Sequence, residues 1–571
     1  MLQYHVVITV VIIYLRKGIS VPQRKFLQKD EKMKSKKSET VKTKLIPYIL
    51  FPALIGIFTG VVIFLFKILS AAVMKLSGKI YSFVRENPAY LPLLILGMAL
   101  VGLCAALILK HAKECRGGGI PTAIASIRGL IPMKWVQGVF GLFASALLSY
   151  LAGVPLGNEG PSVQMGAAVG KGGSNLNRKH KKAFERYLMT GGACSGFAIA
   201  TGAPLSGIMF ALEEAHRRFS TTLFTVASIS VLFGTITHRY LSFFFEVDTT
   251  FFDFTISQVL PMRYLWAAII IGAVCGVCSL LFTNAYQIAK KISKSTAKKL
   301  NFVSKITVIF AITALLGFFS ESFIGTGHGI IEDALHGKLV WYTVLLAFVL
   351  RATVMVFSNV EGVSGGIFVP NLAFGAMIAS LITDGLVALG LVEDQYYTIL
   401  IVVGMASFLA AASRTPVTAI AFSAEALCVA SNIIPVVFGV AVSYIIAELS
   451  GKASYADTVI ESRTEAAHHG KDAVIIDSHM TVKAGAFADG MEIRDILWPP
   501  TCAVLSIDRN QSNTAHHTTS QMREGDVLHL HYQTYDPEQT MLMLVDILGE
   551  QPDNQRMKSH IGSDEHVVPL D

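Results

Sequence analysis

Glu159 is the one charged residue between positions 135 and 170, and it stands in the run Gly157-Asn158-Glu159-Gly160-Pro161. A carboxylate taken out of water is costly, so it must find donors or take up a proton, and an ionisable group at membrane depth reads by default as functional. Its neighbours suggest where the donors come from. Gly and Pro together mark a helix start, because Pro fits the first turn, where its missing N–H goes unused. A helix start presents unpaired N–H groups and about half a positive charge, which suits an anion. Two further runs carry the same signal, Gly117-Gly118-Gly119-Ile120-Pro121 and Gly365-Gly366-Ile367-Phe368-Val369-Pro370. In the second of these the amides of Ile367 and Phe368 are free to point at an anion. Three such starts brought together make an anion site with no Lys or Arg, and conduction requires a site that also releases its ion. An ionised Glu159 can occupy that site and a protonated one can leave it, which links anion movement to proton movement through one residue. The plainer reading of Glu159 is a helix-capping acid at an aqueous edge.

The elements that position these runs must be membrane spans. Of 571 residues 52% are hydrophobic and 15% charged, against about 25% charged in soluble domains. Uncharged stretches long enough to span lie at 46–66, 89–109, 135–158, 187–212, 264–287, 395–413 and 426–447, with shorter ones at 222–237, 306–320, 339–350 and 362–383. Gly and Pro interrupt several of them, and backbone freed at membrane depth must face protein or a water-filled cavity. Discontinuous helices of this kind mark ion sites in transporters built from inverted repeats. A polar, Phe-rich link at 240–262 divides the membrane part, and each half carries one broken helix, Gly157–Pro161 and Gly365–Pro370.

Residues 16–44 hold eleven Lys or Arg against three acids, which reads as a solvated cytoplasmic arm that sets topology and not as a nucleic-acid site. The apolar core Val6–Leu15 falls short of the ~20 residues of a span; it fits either a segment on the membrane surface or a start at Met33. The seven Cys are scattered and suggest neither a disulfide framework nor a zinc site, and no paired acids, Ser/His pair or His-rich spacing indicates an enzyme or a metal centre. Residues 456–571 carry nine of the sixteen His and no apolar span. Segments at 473–476, 502–507 and 527–532 alternate as strands do, and 536–548 reads as a helix with Asp536 as N-cap and Pro537 at the first position. The expected organisation is a basic arm (1–45), a transmembrane domain (46–455), a linker (456–472), a small α/β domain (473–549) and a polar tail (550–571).

The three Gly/Pro runs, in this order and spacing, resemble the signature stretches of the CLC chloride channels and transporters. Gly202-Ala203-Pro204-Leu205 followed by Glu213-Glu214, and Tyr455 after the last span, fit the same pattern. The resemblance covers about 46–455. It implies an all-α polytopic membrane protein with an inverted-repeat fold, working as a homodimer with one anion pathway per subunit, chloride in the pathway and no cofactor. By position, Glu159 matches the external gating glutamate and Glu214 the internal proton-transfer glutamate of the family's antiporters. Gly118, Gly119, Ile120, Gly160, Ile367, Phe368 and the hydroxyl of Tyr455 match its anion-binding positions. Without the family, Glu213 and Glu214 read as a solvated helix end and Tyr455 as an interfacial anchor. The expected function is exchange of chloride or a similar anion for protons; a passive voltage- or pH-gated chloride channel and a fluoride/proton antiporter are the alternatives. Two positions depart from the pattern: Gly118 stands where the family often has Ser, and Asn158 where Lys or Arg usually precedes the gate. The tail resembles the TrkA C-terminal regulatory type, on the strength of Gly525-Asp526-Val527-Leu528, and implies a small ligand there. That architecture suggests a bacterial inner (plasma) membrane with both termini cytoplasmic.

Overall fold

The structure, a computed structural model, describes residues 46–549 except 118, 177–180, 248–250, 253, 255–257, 428, 510, 511 and 515–518. The basic arm (1–45), the polar tail (550–571) and the candidate anion ligand Gly118 therefore lie outside the described residues. Among those described, nine helices are long and apolar enough to cross a membrane, and the fold is mainly helical, with one small sheet after the last span.

The membrane part is two halves of like design. The first runs α1 (Ile46–Glu86), α2 (Leu91–His111), α3 (Ile120–Ile127), α4 (Leu142–Leu151), α5 (Glu159–Gly173), α6 (Lys181–Thr201), α7 (Pro204–Phe210) and α8 (Thr221–Phe244). The second runs α9 (Leu265–Thr296), α10 (Phe302–Phe319), α11 (His328–Leu335), α12 (Trp341–Glu361), α13 (Phe368–Ala388), α14 (Tyr397–Ser413), α15 (Pro416–Ala426) and α16 (Ile433–Leu449). At 1.5 Å per residue α1 is about 60 Å long, twice the hydrocarbon thickness, so it crosses at a tilt. Several other helices are too short to cross, and they follow the Gly and Pro signals of the sequence. The stretch 187–212 breaks at Gly202, whose φ of +69° turns the chain before Pro204 opens α7. Helix α14 is apolar and buried on every side, which places it at the centre of its half.

Contacts repeat between the halves. Gly166 of α5 faces the backbone of Gly192 in α6, and Gly375 of α13 faces Gly404 in α14. Small residues let these backbones touch, and in lipid such close packing takes the place of hydrophobic driving force. The clearest repeat is a pair of reciprocal caps. Glu213, beyond the end of α7, accepts from the amides of Val417 and Thr418 at the start of α15, at 2.8 and 2.6 Å. Glu425, in the last turn of α15, accepts from the amides of Leu205 and Ser206 at the start of α7, both at 2.9 Å. Each acid satisfies orphan N–H groups of the other half at the positive end of a helix. This exchange is what an inverted repeat about an in-plane two-fold produces.

The stretch expected as a polar linker, 456–472, belongs mostly to α17 (Tyr455–Ala467). Ser454 caps it, accepting from Asp457 N at 2.9 Å, so the polar composition there reflects a half-exposed helix. The small sheet has β1 (Val474–Thr481), β2 (Ala503–Arg509), β3 (Ser512–Thr514) and β4 (Val527–Thr534) in the order β1-β4-β2-β3, every pair antiparallel. Its inward side chains Met480, Leu528, Leu530 and Tyr532 pack on Leu544, Ile547 and Leu548 of α18 (Pro537–Leu548). Asp536 caps α18 as expected, accepting from Gln539 N at 3.1 Å. The opposite face of the sheet carries His479 stacked on His529 at 4.3 Å and His531 bonded to Asp477 at 2.7 Å.

Candidate functional site

Three helix starts meet where the sequence placed its Gly/Pro runs. Gly119 is the N-cap of α3, Asn158 of α5 and Ile367 of α13, and none of the three ends is capped by its own side chain. Gly157 and Gly366 exchange two backbone hydrogen bonds, each 2.7 Å, in an isolated antiparallel bridge between the halves. A Cβ on Gly160 would lie 2.6 Å from Gly366 Cα and 2.7 Å from Gly119 Cα. Only glycine at these positions lets three backbones close on one point.

Glu159 opens α5 and is fully buried. Its carboxylate turns back against Gly157, whose Cβ direction also meets Pro370 Cδ at 3.4 Å. The acid is thus folded toward the first turn of α13 and does not extend away from it. The backbone N–H groups of Glu159 itself and of Val369, in the first turn of α13, act on the carboxylate without closing into tight hydrogen bonds. Close paired caps on helix amides are made by Glu213 and Glu425, at 2.6–2.9 Å, and not by Glu159 among the described residues. Asn158 is buried as well, and its Oδ1 has no hydrogen-bond partner among the described residues.

Tyr455, the first residue of α17, is buried with its ring against Phe282 at 4.8 Å and Tyr286 at 5.2 Å. Phe282 in turn packs on Phe374 of α13. The Tyr455 hydroxyl is buried and makes no hydrogen bond among the described residues. An interfacial anchor would put that hydroxyl in water, so the anchor reading does not describe this residue.

Glu214 lies elsewhere. It sits in a π-helical turn, Ala211–Ala215, that ends α7, and it is 7% exposed. Single π turns of this kind recur at functional sites. Arg128, just past α3, donates to the carbonyls of Glu214 and Ala215 at 2.8 and 2.7 Å. From this turn a stack of rings leads to the start of α13: Phe210 on Phe197 at 5.5 Å, then Phe197 against Phe368 at 5.2 Å. Of the sequence candidates, the structure brings together Gly119, Glu159, Gly160 and the Ile367–Phe368 start, and it sets Glu214 apart at the far end of that stack.

Lys67 was missed. It lies in α1, its Nζ donates to Ile199 O at 3.3 Å, and its charge acts on Glu159. Its signal was legible as the one Lys or Arg in the apolar run 46–74. Arg128 was missed as well, having no local pattern to mark it.

Residues 97–448 match the family described as voltage gated chloride channel. Among solved structures the chain is similar to a slow cyanobacterial Cl-/H+ antiporter, at 23% identity and a TM-score of 0.66, covering 73% of this chain and 98% of that one. It is similar to a eukaryotic CLC transporter, at 21% identity and a TM-score of 0.59 over 73% of this chain and 74% of that one. A CLC-type fluoride/proton antiporter matches at 20% identity and a TM-score of 0.58, over 71% of this chain and 96% of that one.

Proposed function

The chain belongs to the voltage gated chloride channel family of ion transporters, and from that premise we propose that it is a secondary-active antiporter exchanging chloride, or a similar small anion, for protons. The observation that carries this reading is the buried Glu159 carboxylate, folded onto the meeting point of three helix starts and facing the Val369 N–H of α13. Ionised, it competes with the anion for those positive helix ends. Protonated, it loses that attraction and yields the site. Anion and proton thereby occupy the site in alternation, and the two fluxes are coupled.

In this reading the backbone at Gly118, Gly119, Ile120, Gly160, Ile367 and Phe368 holds the anion, and the buried Tyr455 hydroxyl donates to it. Glu214 is the inner proton station, and the ring stack through Phe197 separates it from the anion path. Helix ends attract without a full charge, which favours release as well as binding. The protein would work as a homodimer, one pathway per subunit, in the inner (plasma) membrane with cytoplasmic termini. The transport domain is assigned to about 46–455, and 473–549 to a regulatory domain of TrkA C-terminal type taking a small ligand. Chloride and protons are its substrates, and the chemistry calls for no cofactor.

The test is proton movement in proteoliposomes under a chloride gradient with no pH gradient. An antiporter pumps protons against their own equilibrium, whereas a channel passes anions with a reversal potential indifferent to pH. Chloride, fluoride and nitrate efflux measured side by side identify the anion, and faster fluoride than chloride would replace chloride in the assignment.

A further inference from the structure

The chain just after the turn that carries Glu214 is gripped from the C-terminal domain by a four-residue strap, Asp495–Trp498. Every carbonyl of the strap receives a donor from the membrane part. Tyr187 donates its hydroxyl to Asp495 O. Arg218 donates to Ile496 O at 2.7 Å. Arg186 donates to Leu497 O at 3.1 Å and to Trp498 O at 2.6 Å. The Tyr187 oxygen also accepts from Leu497 N at 3.0 Å. The Asp495 side chain, 8% exposed, completes the grip at the start of α8, accepting from Ser220 Oγ at 2.6 Å and Thr221 N at 3.1 Å. A second acid of the same domain, Asp546, accepts from Ala183 N in the first turn of α6 at 2.7 Å.

These bonds hold α6 and the chain just after the π turn. Only His216–Ser220 separate that turn from α8, and the strap holds this link at Arg218 and at Ser220. Arg186 joins the strap to the end of α3 as well, donating to Ile127 O at 2.8 Å, and the next residue, Arg128, holds the carbonyls of Glu214 and Ala215. Arg217 is tied to Asp457 of α17 at 2.6 Å, and His216 meets Thr190 Oγ1 at 2.9 Å. The turn and the link after it are thus tied to the end of α3, to α6 and to α17.

We infer that Asp495 and the strap are positioning elements for the Glu214 turn, through which the C-terminal domain sets how efficiently protons reach the exchange path. The inference rests on the antiport reading above. None of the strap residues lies among the proposed anion-binding groups, so loosening the strap displaces the proton station while the meeting point of α3, α5 and α13 stays closed by its own glycines.

The experiment uses full-length protein in liposomes, with chloride efflux and chloride-driven proton uptake measured on the same preparation for wild type, Asp495→Ala, Asp495→Asn and Tyr187→Phe. Asp495→Ala is expected to lower the protons moved per anion about fivefold, the scale set by losing one helix cap, with anion efflux within about twofold of wild type. Asn keeps an oxygen that accepts from Ser220 and Thr221, so Asp495→Asn is expected to retain the wild-type ratio. Tyr187→Phe removes the hydroxyl from the strap backbone while leaving the Asp495 side chain and its cap intact, and is expected to lower the ratio too. An unchanged ratio in both Asp495→Ala and Tyr187→Phe, or proton and anion flux falling in step, overturns the inference and leaves the antiport reading standing. Wild-type protein with anion flux but no proton uptake overturns the antiport reading and this inference with it.

Discussion

Replacing Gly160 by Ala puts one methyl group at the meeting point of three backbones. The added Cβ would lie 2.6 Å from Gly366 Cα and 2.7 Å from Gly119 Cα, whereas carbon atoms rest at about 3.5–4.0 Å. Each neighbour must therefore retreat by about 1 Å, and both are backbone, with no side chain to rotate away. The Gly157–Gly366 bridge holds that spacing with two hydrogen bonds of 2.7 Å; widened by about 1 Å, both leave the range of an N–H···O bond. Two lost bonds at about 1 kcal/mol each, with overpacking of about 1–3 kcal/mol, give about 4 kcal/mol against the closed site. At 1.4 kcal/mol per factor of ten, even half of this reduces the population of intact sites by more than about tenfold. Chloride efflux from liposomes should fall at least that far, and thermal unfolding in detergent should shift down. Gly97→Ala in α2 is the control, because its added Cβ meets nothing within 4 Å, and it should leave both quantities unchanged. Wild-type flux and melting in Gly160→Ala would refute the argument that these glycines close the site.

Tyr455→Phe removes a buried hydroxyl that has no bond to lose among the described residues. Melting should be unaffected while apparent anion affinity falls about fivefold, the worth of one hydrogen bond of about 1 kcal/mol; lost stability with unchanged affinity would count against an anion contact. Glu213→Ala and Glu425→Ala each strip a cap from the opposite half and should each cost about 1–2 kcal/mol of stability in a thermal or denaturant melt. In the tail, burial works to raise the pKa of Asp526, but the Arg509 guanidinium and the Arg523 N–H outweigh it and hold that carboxyl below the usual range. A carboxylate lowered in the folded state stabilises above its unfolded pKa of about 3.9 and loses that contribution as pH falls through the folded value. Protection of the Gly525–Val527 amides, taken relative to the unfolded chain at the same pH, should therefore fall below about pH 4 in wild type, and Asp526→Asn should show the lower protection already at pH 7.

The broken helices were legible because Gly and Pro act locally: a positive φ at Gly202 or a Pro at the start of α7 announces itself without knowledge of the partner. Glu159 was legible for a similar reason, being one charge in a long apolar run, and the same logic applied to Lys67 would have found it. What stayed hidden depends on contacts far apart in the chain. Glu213 looked like a solvated helix end, and it is a cap for a helix two hundred residues on; its partner Glu425 gave no signal in the sequence. Helix α17 was taken for linker because a half-exposed helix carries polar residues, and β3 is too short for alternation to register. The strap at Asp495–Trp498 is bound through its carbonyls, which every residue has, so no side-chain pattern could mark it.

The central claim is that one carboxylate gates the anion and carries the proton. Chloride efflux and chloride-driven proton uptake, measured together for wild type and Glu159→Gln in liposomes, test it most directly. Gln is close in size but cannot ionise, so anion flux should persist while proton uptake falls to the level of protein-free vesicles. Proton uptake that survives in Glu159→Gln at the wild-type ratio would contradict the claim.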